Sequence, residues 1–253
     1  MNILVTNDDG VHAPGLLTLA QSMRELGQVT ILAPDRNWSM SGHKKTMDRP
    51  LHVHETRLAD GTTAYASDGS PSDCVALVML GLFDKKFDLV VSGINPNANV
   101  GQDITYSGTV SAAIEAVLSG VPGIAVSLDS PFGTQELDYG PAARTALRVA
   151  RKLIQNPLPD GVVLSVNVPY LADDALRGFQ ITRQGKRIYR DALLHYSAPN
   201  GRPFYWIGGD HPTGTPEDGT DIGALAAGYI SLTPLHLDLT AHPVFESLHG
   251  VDW

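Results

Sequence analysis

The first half of the chain alternates short apolar runs with segments of helical periodicity, and this alternation constrains the fold more than any other feature. Ile3 to Thr6, Val29 to Ala33, Leu89 to Ser92, Ile124 to Ser127 and Val162 to Val166 read as buried strands. Between the first two, Leu16, Leu19, Ala20 and Met23 recur at helical spacing, with Pro14 at the start and Gly27 as a stop. Ser72 to Leu82 is a helix so apolar that burial is expected, and Thr109 to Ser119 is another. Ala143, Ala146, Leu147, Ala150, Leu153 and Ile154 give the clearest amphipathic pattern. Residues 51–55 and 63–67 read as more exposed strands around the turn Asp60-Gly61.

Strands alternating with helices imply right-handed crossovers. The expected class is therefore α/β, a Rossmann-like, mostly parallel sheet with helices on both faces, over residues 1–170. From about residue 170 helical periodicity disappears. Phe179 to Thr182, Phe204 to Ile207 and Tyr229 to Leu232 read as strands, and residues 171–253 are expected to form a β-rich extension. Residues 184–203 are polar, with Arg183, Lys186, Arg187 and Arg190 in or beside them. Flanked by Phe179–Thr182 and Phe204–Ile207, they are expected to protrude as a hairpin arm that meets a neighbouring subunit.

In parallel sheets, ligands bind beyond the carboxyl ends of the strands. Asn7-Asp8-Asp9-Gly10 stands directly after the first strand. Neighbouring side chains on a strand point to opposite faces, so both acids can converge only if the backbone turns there, which Gly10 permits. Two adjacent carboxylates repel each other, and a hard divalent cation would use both. The competing reading is a solvated Asx turn.

A second motif should reach the same edge. Asn95 to Thr109 is long, polar and glycine-containing, and leads into a helix. Ser107-Gly108-Thr109 would present hydroxyls and free backbone N–H groups at a helix N-terminus, which suits an anion. Plain N-capping accounts for the same residues. Asp35 to His43, after the second strand, offers Arg36, serine hydroxyls and His43 to the same region, or is an ordinary polar loop. His52 and His54 share a strand face, but without a third ligand they read as surface histidines.

The chain has 253 residues, 43% hydrophobic and 18% charged, which is ordinary for a globular protein. A formal net charge of −9 argues against duplex nucleic acid or an anionic membrane as partner, although a bound cation could still admit a small anion. The single cysteine, Cys74, lies in an apolar run and reads as core, consistent with a cytoplasmic, reducing setting. No basic segment precedes an apolar stretch at the N-terminus, so no signal peptide is expected.

Taken together, Asn7-Asp8-Asp9-Gly10, Ala33-Pro34-Asp35-Arg36-Asn37, Ser92-Gly93-Ile94-Asn95 and Tyr106-Ser107-Gly108-Thr109, in this order, resemble the SurE-type survival proteins, a family of metal-dependent 5′-nucleotidases. The resemblance continues through Gly69-Ser70-Pro71-Ser72-Asp73-Cys74, Gly219-Thr220-Asp221, and Ser231 to Leu235 with Asp238-Leu239-Thr240, so it runs nearly full length. It implies hydrolysis of nucleoside 5′-monophosphates, with Asp8, Asp9, Ser39 and Asn95 holding one divalent cation per subunit. That all-oxygen set suits Mg²⁺ or Mn²⁺. It also implies Asp8 and Asn95 as catalytic residues, phosphate contacts from Ser107, Gly108 and Thr109 with Asn99 nearby, and a homodimer or homotetramer with exchanged C-terminal arms. Two departures stand out. Asn97 replaces the family's usual glycine, and Ser39-Met40-Ser41-Gly42 stands where Ser-Gly is often contiguous, leaving Ser41 as the alternative ligand. The adjacent acids count against an aspartyl-phosphatase with Asp-x-Asp spacing. A non-catalytic nucleotide- or metal-binding regulator is the rival from another class.

Overall fold

The apolar runs of the first half are the strands of one sheet in the computed structural model, which describes residues 1–134, 136–249 and 251. The strands are β1 (Asn2–Thr6), β2 (Gln28–Pro34), β3 (Val53–Arg57), β4 (Thr63–Ser67), β5 (Leu89–Asn95), β6 (Gly123–Asp129), β7 (Val162–Pro169), β8 (Phe179–Ile181), β9 (Arg187–Ser197), β10 (Pro203–Gly214) and β11 (Ile230–His236). The helices are α1 (Pro14–Met23), α2 (Pro71–Met79), α3 (Gly108–Leu118), α4 (Gly140–Gln155), α5 (Asp221–Ala226) and α6 (His242–Leu248). A nine-stranded sheet runs in the order β3-β4-β2-β1-β5-β6-β7-β11-β8, and β9 pairs with β10 in a separate two-stranded sheet. From β4 to β7 every neighbouring pair is parallel, while β3 and β11 run antiparallel to their partners β4 and β7.

Alternation along β1 covers both faces. Ile3 and Val5 enter the cluster that includes Leu16, Leu19 and Met23 of α1 and Ala146 and Leu147 of α4. Leu4 points the other way, to Cys74 and Val75 of α2 and Ala112 of α3. The helices therefore lie on both faces, and Cys74 is core. Pro14 opens α1 as expected. Gly27 does not stop the helix, which ends at Met23 with Arg24 as its C-cap; a glycine is needed there because a Cβ would stand 2.2 Å from the Met1 carbonyl oxygen.

The second half departs from the sequence reading. Phe179 to Thr182 is not a hairpin strand. Its first three residues form β8, an edge strand of the main sheet parallel to β11. The hairpin is β9 with β10, antiparallel from Arg187 opposite Gly214 to Ser197 opposite Pro203. So most of the stretch read as a polar arm is itself a strand. Both of its faces are exposed and Arg187, Arg190 and Asp191 interrupt it, so it carries no period-two signal. Helices α5 and α6, of 6 and 7 residues, were also missed, being too short to show periodicity. Among the described residues, no helix is long and apolar enough to cross a membrane.

Candidate active site

At the end of β1 the chain turns on a buried asparagine. Asn7 Nδ2 donates to the Gly10 carbonyl at 3.0 Å, and the Gly10 amide donates back to Asn7 Oδ1 at 3.2 Å. Gly10 has φ +106°, and a Cβ would stand 3.3 Å from the Arg36 backbone, so the turn tolerates no side chain at that position. The Asx turn and the convergence of the acids are thus one structure: the first produces the second.

Asp8 is buried against the start of α3. Thr109 Oγ1 donates to Asp8 Oδ1 at 2.5 Å. Burial raises the Asp8 carboxyl above its ordinary range, opposed by the Thr109 hydroxyl and by backbone hydrogen bonds that include the Thr109 and Gly108 amides. Ser107 caps α3, its Oγ accepting from the Val110 amide at 3.1 Å. The two motifs placed on one edge from sequence therefore touch each other. The Thr109 hydroxyl, however, is committed to Asp8 and does not stand free for an anion.

Asp9 carries the sharper electrostatic signature. Its Oδ2 is buried without a hydrogen-bond partner. Burial first, and the Asp8 charge second, push its carboxyl up to about 7. Unpaired buried carboxylate oxygens are costly, and a cation ligated by both acids would remove that cost. Asn95 reaches the same edge through register. Thr6 pairs with Ser92 across β1 and β5, and Asp9 and Asn95 each stand three residues further on. Asn95 Nδ2 donates to the Asn97 carbonyl at 2.5 Å.

Ser39 belongs to an exposed loop held against this edge. The Trp38 amide donates to the Asp8 carbonyl at 2.7 Å, and the Gly42 amide to the Tyr106 carbonyl at 2.9 Å. The loop is thus pinned to both motifs, with Ser39 between the pins and Met40 at φ +61°. Ser41 is partly buried in the same span. Carboxylate, hydroxyl and amide oxygens are the donors a hard cation takes. Among the described residues, no cluster of three or more His, Cys, Asp or Glu side chains is placed to hold a metal, so a site here must recruit the hydroxyl or the amide.

Asn99 is engaged elsewhere. Its Nδ2 donates to Ser127 Oγ at 2.8 Å, while its backbone amide donates to Asn167 Oδ1 and its carbonyl accepts from Asn167 Nδ2. His43 turns to Glu115, and His52 and His54 are exposed, His52 beside Asp68. Three further residues stand near the site, and of these only Asp221 entered the sequence reading, as part of Gly219-Thr220-Asp221. Tyr139, at the start of α4, has its phenol raised by burial and then by the charge of Asp9. Asp221 is buried and accepts the amides of Gly101, Gly185 and Ile222, tying the segment before Ser107 to the base of the hairpin. Glu115 is buried on α3.

The family model described as Survival protein SurE matches residues 3–191. The chain belongs to this family. The SurE resemblance read from the motifs is therefore shown, and it extends to full length. The chain is 50% identical over 253 residues to a protein of Herpetosiphon aurantiacus named 5′-nucleotidase SurE, covering 100% of this chain and 99% of that one. A protein of the same name from Chloroflexus aggregans is 47% identical, with 100% of both chains covered. The crystal structure of the SurE protein of Aquifex aeolicus superposes with a TM-score of 0.83 at 40% identity, covering 98% of each chain. The Rossmann-like core and the β9–β10 hairpin are thus read in a SurE-type fold.

Proposed function

We propose that this chain is a divalent-metal-dependent phosphomonoesterase that hydrolyses nucleoside 5′-monophosphates to nucleoside and inorganic phosphate. The observation that carries the reading is the meeting of the Asp8–Asp9 pair, with its buried unpartnered Asp9 oxygen, and the N-terminus of α3. The names of the full-length relatives support the substrate class. Asp8, Asp9, Ser39 and Asn95 would hold one Mg²⁺ or Mn²⁺. When bound, the cation supplies charge neutralisation and a water of lowered pKa.

The protein's own groups supply the rest. Ser107 Oγ accepts from Val110, which leaves its O–H free to donate to a phosphoryl oxygen. The Gly108 amide, like the Thr109 hydroxyl, is turned to Asp8, and it is the dipole of α3 that further favours the same charge. Thr109 fixes Asp8 by hydrogen bond, and Asp8 orients the attacking water and takes its proton. Asn95 would turn its amide from the Asn97 carbonyl toward the phosphoryl group. Asn99, held by Ser127 and Asn167, would act by shaping the loop beside the phosphate. Water adds to phosphorus as its proton passes to Asp8, the P–O5′ bond breaks, and that proton returns through solvent water to the 5′-oxygen, which leaves as the nucleoside hydroxyl.

In the same proposal residues 1–170 carry the site and residues 171–253 provide the edge strands and the arm. The protein works in the cytoplasm as a homodimer or homotetramer. Exposed Leu193, Tyr196, Trp206 and Ile207 on the hairpin support the assembly. The deciding assay is phosphate release from a panel of nucleoside 5′-monophosphates with Mn²⁺ or Mg²⁺, with and without EDTA. Turnover abolished by EDTA is expected. Nucleotide binding without phosphate release under any metal would instead identify a non-catalytic regulator.

A further inference from the structure

We infer that Glu115 is a positioning residue, a buried carboxylate on α3 that draws His43 and Lys45 inward and so fixes the Ser39 loop across from Asp8 and Asp9. The inference rests on the reading above, in which Ser39 belongs to the site. Glu115 Oε2 lies 2.9 Å from His43 Nε2 and its Oε1 lies 2.9 Å from Lys45 Nζ. The Glu115 side chain is only 7% exposed, so each carboxylate oxygen needs a partner, and both partners come from one short stretch of one loop. Losing that stretch would leave a buried carboxylate uncompensated, which gives the closed loop an electrostatic reason to stay closed.

The placement matters because α3 does two things. Its first residues form the candidate phosphate site. Glu115, six residues beyond Thr109, lies about 9 Å further along the same rigid axis at 1.5 Å per residue. One helix therefore sets the distance between the anion site and the loop that carries Ser39. The loop's inner pins, Trp38 to Asp8 and Gly42 to Tyr106, are single backbone hydrogen bonds, and the Glu115 contacts begin at the next residue after Gly42. Between these two contacts Ser70 Oγ donates to the Lys44 carbonyl, and beyond them Thr46 donates twice to Asp73. The far end of the loop is thus tied to α2 independently, and removing the Glu115 charge loosens the Ser39 segment without freeing the whole loop.

The test is hydrogen exchange on the metal-free full chain, paired with Mn²⁺ titration of nucleotide hydrolysis. In Glu115→Gln the amides of Ser41 and Gly42 should exchange about tenfold faster, while those of β1 and α4 stay at the wild-type rate. The Mn²⁺ concentration for half-maximal activity should rise about tenfold, with kcat at saturating metal near wild type. A second variant, His43→Gln with Lys45→Met, removes the partners instead and should give the same two changes. Adding Glu115→Gln to it should change little more. Wild-type exchange at Ser41 and Gly42 in both variants would overturn the inference. So would acceleration spread equally over β1 and α4, which would mark a general loss of stability. Failure of the nucleotidase reading looks different: wild-type protein then releases no phosphate under any metal, and the exchange rates alone decide whether Glu115 holds the loop.

Discussion

A Cβ on Gly108 would stand 2.7 Å from the Cβ of Asp8 and 2.9 Å from its Oδ2. The helix start and the acid are packed so closely that neither can move without the other. Gly108→Ala should push Asp8 out of place and, as an overpacked site, cost about 1–3 kcal/mol of stability. Catalysis should suffer more than folding. A chemical denaturation curve beside a phosphate-release assay checks this, and full activity in the variant would show that Asp8 is free to shift.

Thr109→Val keeps the shape and removes the hydroxyl that Asp8 accepts. A lost hydrogen bond to a charged group costs about 1.5–3 kcal/mol, which is roughly a tenfold to hundredfold loss if it falls on the transition state. The loss should appear in kcat, while competitive inhibition by inorganic phosphate changes less, because the hydroxyl faces Asp8. Weakened phosphate inhibition with unchanged kcat would return Thr109 to the role of a direct anion contact.

Asp9→Asn removes one of two adjacent acids and the charge on a buried, unpartnered oxygen. The variant should lose nearly all metal-dependent turnover. In EDTA its thermal midpoint should equal or exceed that of the wild type, since the repulsion with Asp8 is gone. Wild-type turnover at low Mn²⁺ would remove Asp9 from the metal site.

Glu115 titrates below its ordinary value of 4.5, chiefly through the His43 hydrogen bond and also through Lys45, against the cost of burial. A lowered carboxyl stabilises the fold while ionised in the native state. That contribution is fully present above the ordinary value and fades as pH falls below it, through the native one. The acid limb of a plot of melting temperature against pH should therefore be steeper in the wild type than in Glu115→Gln. Parallel limbs would show that the ion pairs add nothing measurable.

The hairpin presents apolar side chains on both faces, because Trp206 pairs with Leu194 and Ile207 with Leu193 at successive positions. Both faces are exposed in the single chain, and the proposed assembly would cover them. Trp206→Ser with Ile207→Ser should lower the mass seen by light scattering while the metal dependence of any remaining activity persists. A wild-type monomer at micromolar concentration would refute the assembly.

The strand and helix order of the first half was legible because each element carries its own periodicity, and a parallel sheet then sends Asp8, Asp9, Asn95 and Ser107 to one edge whatever the packing details. Pro14, Gly10 and the Ser107 cap are local signals of the same kind, decided by the backbone of their immediate neighbours. What tertiary structure alone decided is which polar group meets which. The Thr109 hydroxyl turned to Asp8, Asn99 was spent on Ser127 and Asn167, and β9 became a strand although charges break its pattern and solvent meets both its faces. Glu115 and Tyr139 gave no signal at all, and the motif that holds Asp221 gave no hint of its partners, since an acid or phenol in sequence looks the same whether water or a partner far along the chain satisfies it. Apolar burial depends on spacing, which sequence displays. Hydrogen bonds and ion pairs depend on distance and direction in three dimensions, which exist only once the chain has folded.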